Sequence, residues 1–422
     1  MRYFWFTLIF FTFAILGCTE NIENEVVSNG SDIEKTFSNS ISFTISSEEA
    51  MSQAISFAKQ ARTTRTAMNI EAESVIPWLS KDIWNLKSTR SGESAINLPD
   101  TALYVVNMRG GDGYALVSAD MRVPGVMAFI DKGSFTPGDT LDNPGFKIFL
   151  DGLRNYYYRE IISKGSKSSN RSNDPFYTYT VYVEPMLETN WGQGTPYNKY
   201  CFTSQGLQAV AGCVAIAVGQ ITAYHQWPES FNGHQYDWDS ILASDTVNPT
   251  DTTASNSVGH LIHDIGELVN MDYGVSVSTA FDSDVSSCWY EFDYYYTWHN
   301  TSPSFDTVNS DLQAGLPVYC RGTAGGVGSH AWVIDGSSVL RGFVRIFGPS
   351  GTQTELLEIQ HISFVHCNWG WNGYNNGYFI YGAFENKYDG NYGTYTNSSF
   401  YPFNQNIKSY TGVQPGYLSL WE

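Results

Sequence analysis

The chain has 422 residues, of which 42% are hydrophobic and only 15% are charged. This composition allows the chain to bury one large hydrophobic core or two smaller ones, and it excludes a globally disordered protein. The formal net charge of -19 also argues against nucleic-acid binding, because an acidic protein and a phosphate backbone repel each other.

Residues 1–18 predict an export signal that is not part of the fold. Arg2 precedes an apolar run over residues 3–16, which is too short to cross a bilayer comfortably and suits the core of a signal peptide. The following ILGC segment resembles a bacterial lipobox, in which Cys18 is lipidated. The alternative is an ordinary secretory signal with an incidental cysteine. We expect an exported protein, anchored through lipid to a bacterial envelope membrane or displayed at the cell surface.

A small α+β domain is predicted over residues 46–164. Its first helix is expected from Glu48 to Ala61, with a serine hydroxyl before it as the cap. A glycine-rich turn at 109–113 lies between two strand-like runs and predicts a hairpin. A second helix is expected over 143–164, whereas residues 62–98 have no clear period and predict a loop.

Two polar segments bound this domain. Residues 19–45 are rich in Asn, Ser and Glu and predict a flexible tether. Residues 165–174, GSKSSNRSND, have almost nothing to bury, so they predict a linker that is open to proteolytic nicking. The remaining residues, 175–422, predict a helical half followed by a β half from Leu316 onward, which is an α+β arrangement.

Cys213 is the first candidate for chemistry. It follows Gly212 and opens an apolar run at helical spacing that ends before Pro228. A helix N-terminus lowers the pKa of a thiol through its dipole and free N–H groups. Many free cysteines are simply buried, and this stretch alone leaves both interpretations open. Without Cys18 the cysteine count is odd, so at least one thiol has no internal partner. No cysteine spacing indicates a structural zinc site.

A nucleophilic thiol also needs an imidazole beside it. His225 lies on the same predicted helix, about 18 Å from Cys213, and cannot be the partner. His330 follows the glycine-rich segment TAGGVGS and opens the strand HAWVIDG, where a substrate backbone could lie close.

Two further segments carry polar groups suited to such a site. In CNWGWNGYNNGYF, residues 367–379, the tryptophans could exclude water while Asn368 hydrogen-bonds an imidazole. A carbohydrate-binding aromatic loop is the alternative for this segment. In WGQGTPYN, Gln193 could donate an amide N–H to a developing oxyanion.

Together these segments resemble the streptopain family of secreted cysteine peptidases, which have a papain-like fold. WGQGTPYN, GCVAIAVGQITAYHQWP, GSHAWVIDG and NWGWNGYNNGYF occur in that family's order, and LYVVNMRGGDGYALVSAD resembles the family's propeptide. The resemblance covers about residues 100–385. It implies a papain-like α+β catalytic domain over 175–422, preceded by an inhibitory prodomain over 46–164 that is removed by cleavage in the 165–174 linker.

The resemblance also implies a role for each motif residue. Cys213 matches the nucleophile, and His330 matches the general base and acid. Gln193 matches the glutamine of the oxyanion hole, which the backbone N–H of Cys213 completes. Trp369 matches the tryptophan that packs beside the histidine, and Asn368 is the neighbouring candidate for orienting His330.

The implied reaction is peptide-bond hydrolysis through a thioester. The Cys213 thiolate attacks the carbonyl, His330 protonates the leaving amine, and water then hydrolyses the acyl-enzyme. No metal or organic cofactor is expected, only a reduced thiol. The expected partners are protein or peptide substrates and the chain's own prodomain, with release of the mature enzyme after cleavage. Ser329 and Asn372 stand where the family commonly has glycine, and neither replaces a catalytic group.

Two other functions stay open from the sequence alone. A glycan- or protein-binding surface lipoprotein could keep the papain-like domain without hydrolysis, and an acyltransferase or amidase could use the same thioester. Intact Cys213, His330 and Gln193 argue against the first function. A prodomain favours an endopeptidase over the second, because a broad protease needs restraint before export.

Overall fold

The computed structural model describes residues 44–62, 70–84, 99–123, 125–164, 176–324, 328–347, 353–385 and 406–416. Cys18, the tether before Thr44 and the 165–174 linker lie outside these ranges, and so do residues 63–69 and 85–98. Within the ranges, no helix is long and apolar enough to cross a membrane.

The N-terminal domain combines four antiparallel strands with three helices. The helices are α1 (Ser47–Ala61), α2 (Ser80–Trp84) and α3 (Pro144–Lys164), and the strands are β1 (Ala72–Leu79), β2 (Thr101–Met108), β3 (Tyr114–Ser118) and β4 (Val126–Ile130). The Ser46 hydroxyl caps α1 by accepting the Glu49 N–H at 3.1 Å. The predicted hairpin is β2–β3, so this hairpin and both long helices are confirmed.

Strand β1 corrects the prediction that residues 62–98 form a loop. It lies at the end of the sheet and pairs with β2. Its residues are mostly half-buried, and Trp78 is the one that is fully buried. Pro77 lies within the strand, as edge strands allow. An edge strand that is half-exposed lacks the clear apolar alternation from which a strand is predicted.

The C-terminal domain has a helical half followed by a β half, as predicted. The first half contains β5 (Phe176–Val183), α4 (Cys213–His225), β6 (Ser230–Phe231), β7 (His234–Gln235), α5 (Trp238–Ile241), α6 (Thr252–Leu268), α7 (Asp282–Glu291), β8 (Tyr294–His299) and α8 (Phe305–Gln313). The second half contains β9 (Val318–Ala324), β10 (Gly328–Phe347), β11 (Gln353–Asn368), β12 (Gly377–Ile380) and β13 (Lys408–Pro415).

One antiparallel sheet runs through both domains. Its strand order is β1-β2-β3-β4-β12-β11-β10-β9-β13-β8, and β5 pairs with β10 beside this path. The domains meet where β4 pairs with β12, with Ile130 opposite Gly377 and Phe129 opposite Tyr378. Strand β12 would therefore become a sheet edge if the N-terminal domain were removed.

The two domains also share a hydrophobic core. The ring of Phe57 on α1 lies 5.0 Å from that of Phe364 on β11, between centroids. Phe149 on α3 lies 4.7 Å from Phe379 on β12, and all four rings are buried. A second core surrounds α4 and α6 within the C-terminal domain. The N-terminal domain is therefore part of the same packed body as the β half.

We expect Phe364→Ala to lower the free energy of unfolding by about 3–5 kcal/mol, because it removes buried contacts and leaves a cavity. Urea denaturation of the full-length chain would measure the change, with Cys213→Ala present to prevent self-cleavage. Phe281, which is 77% exposed, provides the control: Phe281→Ala should change the free energy by less than about 0.5 kcal/mol. Equal stability of the two variants would contradict the shared core.

Candidate active site

Cys213 is the first residue of α4, as its sequence context predicts. The residue before it, Gly212, has a φ of 88°, which favours glycine. A Cβ at Gly212 would also lie 2.8 Å from the sulfur and methyl of Met271. Glycine therefore permits the abrupt entry into the helix. The first N–H groups of a helix have no partner within it, and with the helix dipole they stabilise a thiolate.

The Cys213 thiol differs from the other cysteines in the described ranges. None of the five is in a disulfide, and Cys213 alone among them is only half-buried. Burial raises the pKa of the other four thiols above the ordinary value: Cys201, Cys288, Cys320 and Cys367. Burial also acts to raise the pKa of Cys213, but the hydrogen bond to His330, the charge of that imidazole and the charge of Arg321 outweigh it. The pKa of Cys213 is therefore lowered.

His330 lies near the start of β10, opposite Gly322 on β9. Its Nε2 lies 2.8 Å from the backbone oxygen of Trp369. A carbonyl only accepts hydrogen bonds, so we assign the proton to Nε2, which leaves Nδ1 for the Cys213 thiol. His330 is 1% exposed, so protein groups supply the hydrogen-bond partners of its imidazole.

In the structure, the Asn368 side chain bonds to groups other than His330, in contrast to the prediction. The Asn368 amide donates to the Thr189 carbonyl at 2.6 Å, and its oxygen accepts from Gln220 Nε2 at 3.3 Å. The group that accepts from His330 belongs to the next residue, Trp369. Sequence reasoning selected the side chain with the right chemistry, but a backbone carbonyl has no signature in the sequence.

Trp369 lies beside His330 through both its backbone and its ring, because a single Cβ at Gly145 would clash with Trp369 Cε3 and with His330 Cδ2. The ring is fully buried, with centroid distances of 5.3 Å to Trp332 and 5.1 Å to Phe379. The Trp371 ring contacts the His330 imidazole edge-on, with 6.0 Å between the ring centroids. The backbone of Trp369 therefore supplies the carbonyl for His330, and the rings of both tryptophans lie next to the imidazole.

Gln193 lies alongside the entry to α4. Its carbonyl accepts the N–H of Ala211 at 2.9 Å, two residues before Cys213. This backbone pairing brings the segment that carries Gln193 next to the nucleophile. Donation from its amide to an oxyanion stays a prediction.

Both departures from the family pattern have local explanations. Ser329 is exposed, and its hydroxyl lies 3.0 Å from that of Thr323. Asn372 has a φ of 56°, a left-handed conformation that asparagine tolerates better than most residues. Its N–H donates to the Trp191 carbonyl at 2.9 Å, which holds the turn in place.

The N-terminal domain lies directly against this site. A Cβ at Gly145, at the start of α3, would lie 2.1 Å from the Trp369 ring and 2.9 Å from His330 Cδ2. Asn143 caps α3 by accepting the Gly145 N–H at 2.9 Å, and its amide donates to the Tyr374 carbonyl at 2.8 Å. The start of α3 therefore covers the histidine and holds the turn that follows Trp369.

Comparison with known families finds two matches along the chain. Residues 191–379 match the peptidase C10 family, and residues 42–157 match the Spi protease inhibitor family. The chain therefore contains a region similar to the peptidase C10 family, with a region similar to the Spi protease inhibitor family ahead of it. The sequence-based prediction of a streptopain-like cysteine peptidase with an inhibitor-type domain ahead of it is confirmed.

Two named proteases are similar to this chain. It is 29% identical over 322 residues to the thiol protease/hemagglutinin PrtT of Porphyromonas gingivalis, across 66% of this chain and 34% of PrtT, so it spans about a third of that protein. It is 25% identical over 392 residues to streptopain of Streptococcus pyogenes, across 80% of this chain and 85% of streptopain. A solved prointerpain A fragment of Prevotella intermedia aligns with a TM-score of 0.52 at 23% identity, over 75% of this chain and 97% of the fragment. The predicted α+β fold class is confirmed.

An ion cluster joins the two domains, with His366 and Asp335 buried and Asp131 partly exposed, and the sequence pattern did not predict it. His366 on β11 contacts Asp335 through Nδ1 at 2.6 Å and Asp131 of the N-terminal domain through Nε2 at 2.9 Å. Burial acts to lower the pKa of His366, but the two carboxylates outweigh it and raise the pKa to about 10. In the described ranges, no group of three or more His, Cys, Asp or Glu side chains is arranged to hold a metal ion.

Proposed function

We propose that this chain is a cysteine endopeptidase made as a zymogen. The observation that carries the proposal is the thiol of Cys213, which alone among the five described cysteines has a lowered pKa. It lies at a helix N-terminus beside His330, and the Trp369 carbonyl orients that imidazole. A thiolate next to an oriented imidazole is the arrangement that acyl transfer from a peptide requires.

The reaction follows from these positions. His330 Nδ1 takes the proton of Cys213, and the thiolate attacks the substrate carbonyl to form a tetrahedral oxyanion. The backbone N–H of Cys213 and the amide of Gln193 stabilise this oxyanion. The imidazolium then protonates the leaving amine, and the thioester forms. In the second half, His330 removes a proton from water, which hydrolyses the thioester and restores the thiol.

We expect Cys213→Ala and His330→Ala to abolish casein hydrolysis by the processed protein, while Cys288→Ala, at a buried cysteine, retains it. Iodoacetamide should label Cys213. Because only a thiolate reacts and its pKa is lowered, the labelling rate should reach half its maximum below the ordinary thiol pKa of about 8.5. Mass spectrometry locates the label, and fluorescent casein reports hydrolysis. Casein cleavage by Cys213→Ala would contradict the mechanism. A labelled Cys213 without any peptide hydrolysis would instead favour an acyltransferase, an amidase or a non-hydrolytic binding protein.

The N-terminal domain, residues 46–164, is proposed to be the inhibitory prodomain of this enzyme. Three observations support this proposal. The domain matches the Spi protease inhibitor family, Gly145 at the start of α3 lies directly against His330, and β4 pairs with β12. While α3 covers His330, a peptide cannot reach the site. Cleavage in the linker at 165–174 is the proposed activation step.

We expect Gly145→Val to weaken latency, because its side chain can fit only if the start of α3 moves away from His330 and Trp369. The uncut chain should then show iodoacetamide labelling of Cys213 about tenfold faster than wild type, measured on material that a gel shows to be unprocessed. An equilibrium shift of about 1.4 kcal/mol produces such a change.

Gly125→Val is the matched control for this experiment. A Cβ at Gly125 would lie 2.0 Å from Gln53 Oε1, a clash inside the same domain and away from the site. The clash is with the far end of a flexible side chain that can move aside, so this variant should leave the labelling rate at the wild-type value. Equal labelling rates for the two variants would show that Gly145 has no special role in latency.

The lipid anchor at Cys18 is also proposed, supported by the ILGC segment after an apolar run. In this proposal the unprocessed chain is held at an envelope membrane or cell surface, and cleavage in the linker releases the mature enzyme. We expect Cys18→Ser to move the unprocessed chain from the detergent phase to the aqueous phase in detergent partitioning. Thr19→Ala, which leaves the cysteine, should stay with the detergent. A wild-type unprocessed chain in the aqueous phase would contradict anchoring.

A further inference from the structure

Gln220 is a fully buried polar side chain inside helix α4. It lies two helical turns after Cys213, about 10 Å along the axis and on the same side of the helix. Burying an amide costs free energy unless its oxygen and nitrogen find partners. The helical spacing of apolar residues after Cys213 predicts a helix that packs in the core, and Gln220 interrupts that apolar run.

The amide oxygen of Gln220 holds the segment that leads to Gln193. It accepts the Thr189 hydroxyl at 3.1 Å and the Trp191 N–H at 3.3 Å. Trp191 lies two residues before Gln193, and its side chain is fully buried. The Thr189 carbonyl also accepts from Asn368 at 2.6 Å, which ties this segment to the turn that carries Trp369.

The amide nitrogen of Gln220 holds that turn directly. It donates to Asn368 Oδ1 at 3.3 Å, and the same oxygen accepts the Gly370 N–H at 3.1 Å. Trp369 lies between these two residues, and its carbonyl orients His330. One side chain therefore reaches both segments that complete the site around the nucleophile.

We propose that Gln220 is a positioning residue of the peptidase. Its amide fixes the Gln193 segment and the Trp369 carbonyl relative to the helix that carries Cys213, and it touches no substrate. Misplacement of reacting groups by about 1 Å can reduce a rate by about 100-fold. The proposal rests on the proposed function, because a positioning role needs a reaction to serve.

The test is the variant Gln220→Met. Methionine keeps the length of the side chain but lacks the amide oxygen and the amide nitrogen, so it makes neither set of hydrogen bonds. In enzyme matured from the full-length chain, kcat for a peptide substrate should fall about 10- to 100-fold, while KM changes little because no substrate contact is lost. The pH midpoint of Cys213 alkylation by iodoacetamide should rise toward the ordinary thiol value, because His330 is held less firmly. Unchanged kcat together with an unchanged midpoint would overturn the proposal.

Thr222→Val is the matched control. Thr222 is buried on the same helix, and its hydroxyl donates to the Gly219 carbonyl at 2.9 Å, outside the network of Gln220. This variant should lower the unfolding temperature and leave kcat and the alkylation midpoint at wild-type values. If both variants reduce kcat alike and neither moves the midpoint, Gln220 has only a structural role.

If Gln220→Met does not fold, Gln220→Glu is the second variant for this test. Its carboxylate can still accept from Thr189 and Trp191 but cannot donate to Asn368, so the Trp369 turn alone loses its support. The alkylation midpoint should rise and kcat should fall; wild-type values of both would overturn the proposal.

The alkylation measurement separates this proposal from the proposed function, since it needs no peptide hydrolysis. Wild-type protein with a low midpoint and no peptidase activity contradicts the proposed function alone. Where the wild-type protein is an active peptidase, an unchanged kcat and an unchanged midpoint in folded Gln220→Met contradict only the positioning role.

Discussion

The hydrogen bond from His330 Nε2 to the Trp369 carbonyl is the interaction on which the rest of the site depends. Because a carbonyl can only accept, it assigns the proton to Nε2 and reserves Nδ1 for Cys213. The carbonyl must therefore be held firmly. The Trp369 N–H donates to Asn376 Oδ1 at 3.0 Å, and its indole N–H donates to the Asn375 carbonyl at 2.9 Å. The asparagines of this turn are thus structural supports for a backbone acceptor.

The same turn is where the N-terminal domain reaches the catalytic centre. Asn143 donates to the Tyr374 carbonyl, and Asn375 donates to the Tyr114 hydroxyl, both at 2.8 Å. Both N-terminal partners are themselves buried. Latency and catalysis therefore share one structural element: contacts from α3 and β3 hold the outer side of the turn, and Gln220 and Asn368 hold its inner side. Loss of the N-terminal domain changes the surroundings of the turn without removing its inner supports.

The sequence predicted the parts of the site that depend on local pattern. Cys213 at the start of α4 and His330 near the start of a strand follow from helical spacing and from the flanking glycines. The parts it missed depend on contacts between residues far apart in the chain. Asn368 has the right chemistry to orient His330, but its amide is taken by Thr189 and Gln220. Strand β1 was missed for a related reason. Its residues form a strand because they pair with β2, and their own sequence pattern does not indicate a strand.

The cluster of His366, Asp335 and Asp131 is an ionic contact between the two domains. The folded-state pKa of His366 is raised to about 10, above an unfolded value near 6.5. Its stabilising contribution is therefore complete below about pH 6.5 and is lost only as the pH rises through about 10. Between these limits the imidazolium stays charged and bridges both carboxylates. Near neutral pH the His366 imidazolium therefore keeps its contacts with both carboxylates, and its titration does not release the N-terminal domain. The proposed cleavage at residues 165–174 is a step that does not depend on this titration.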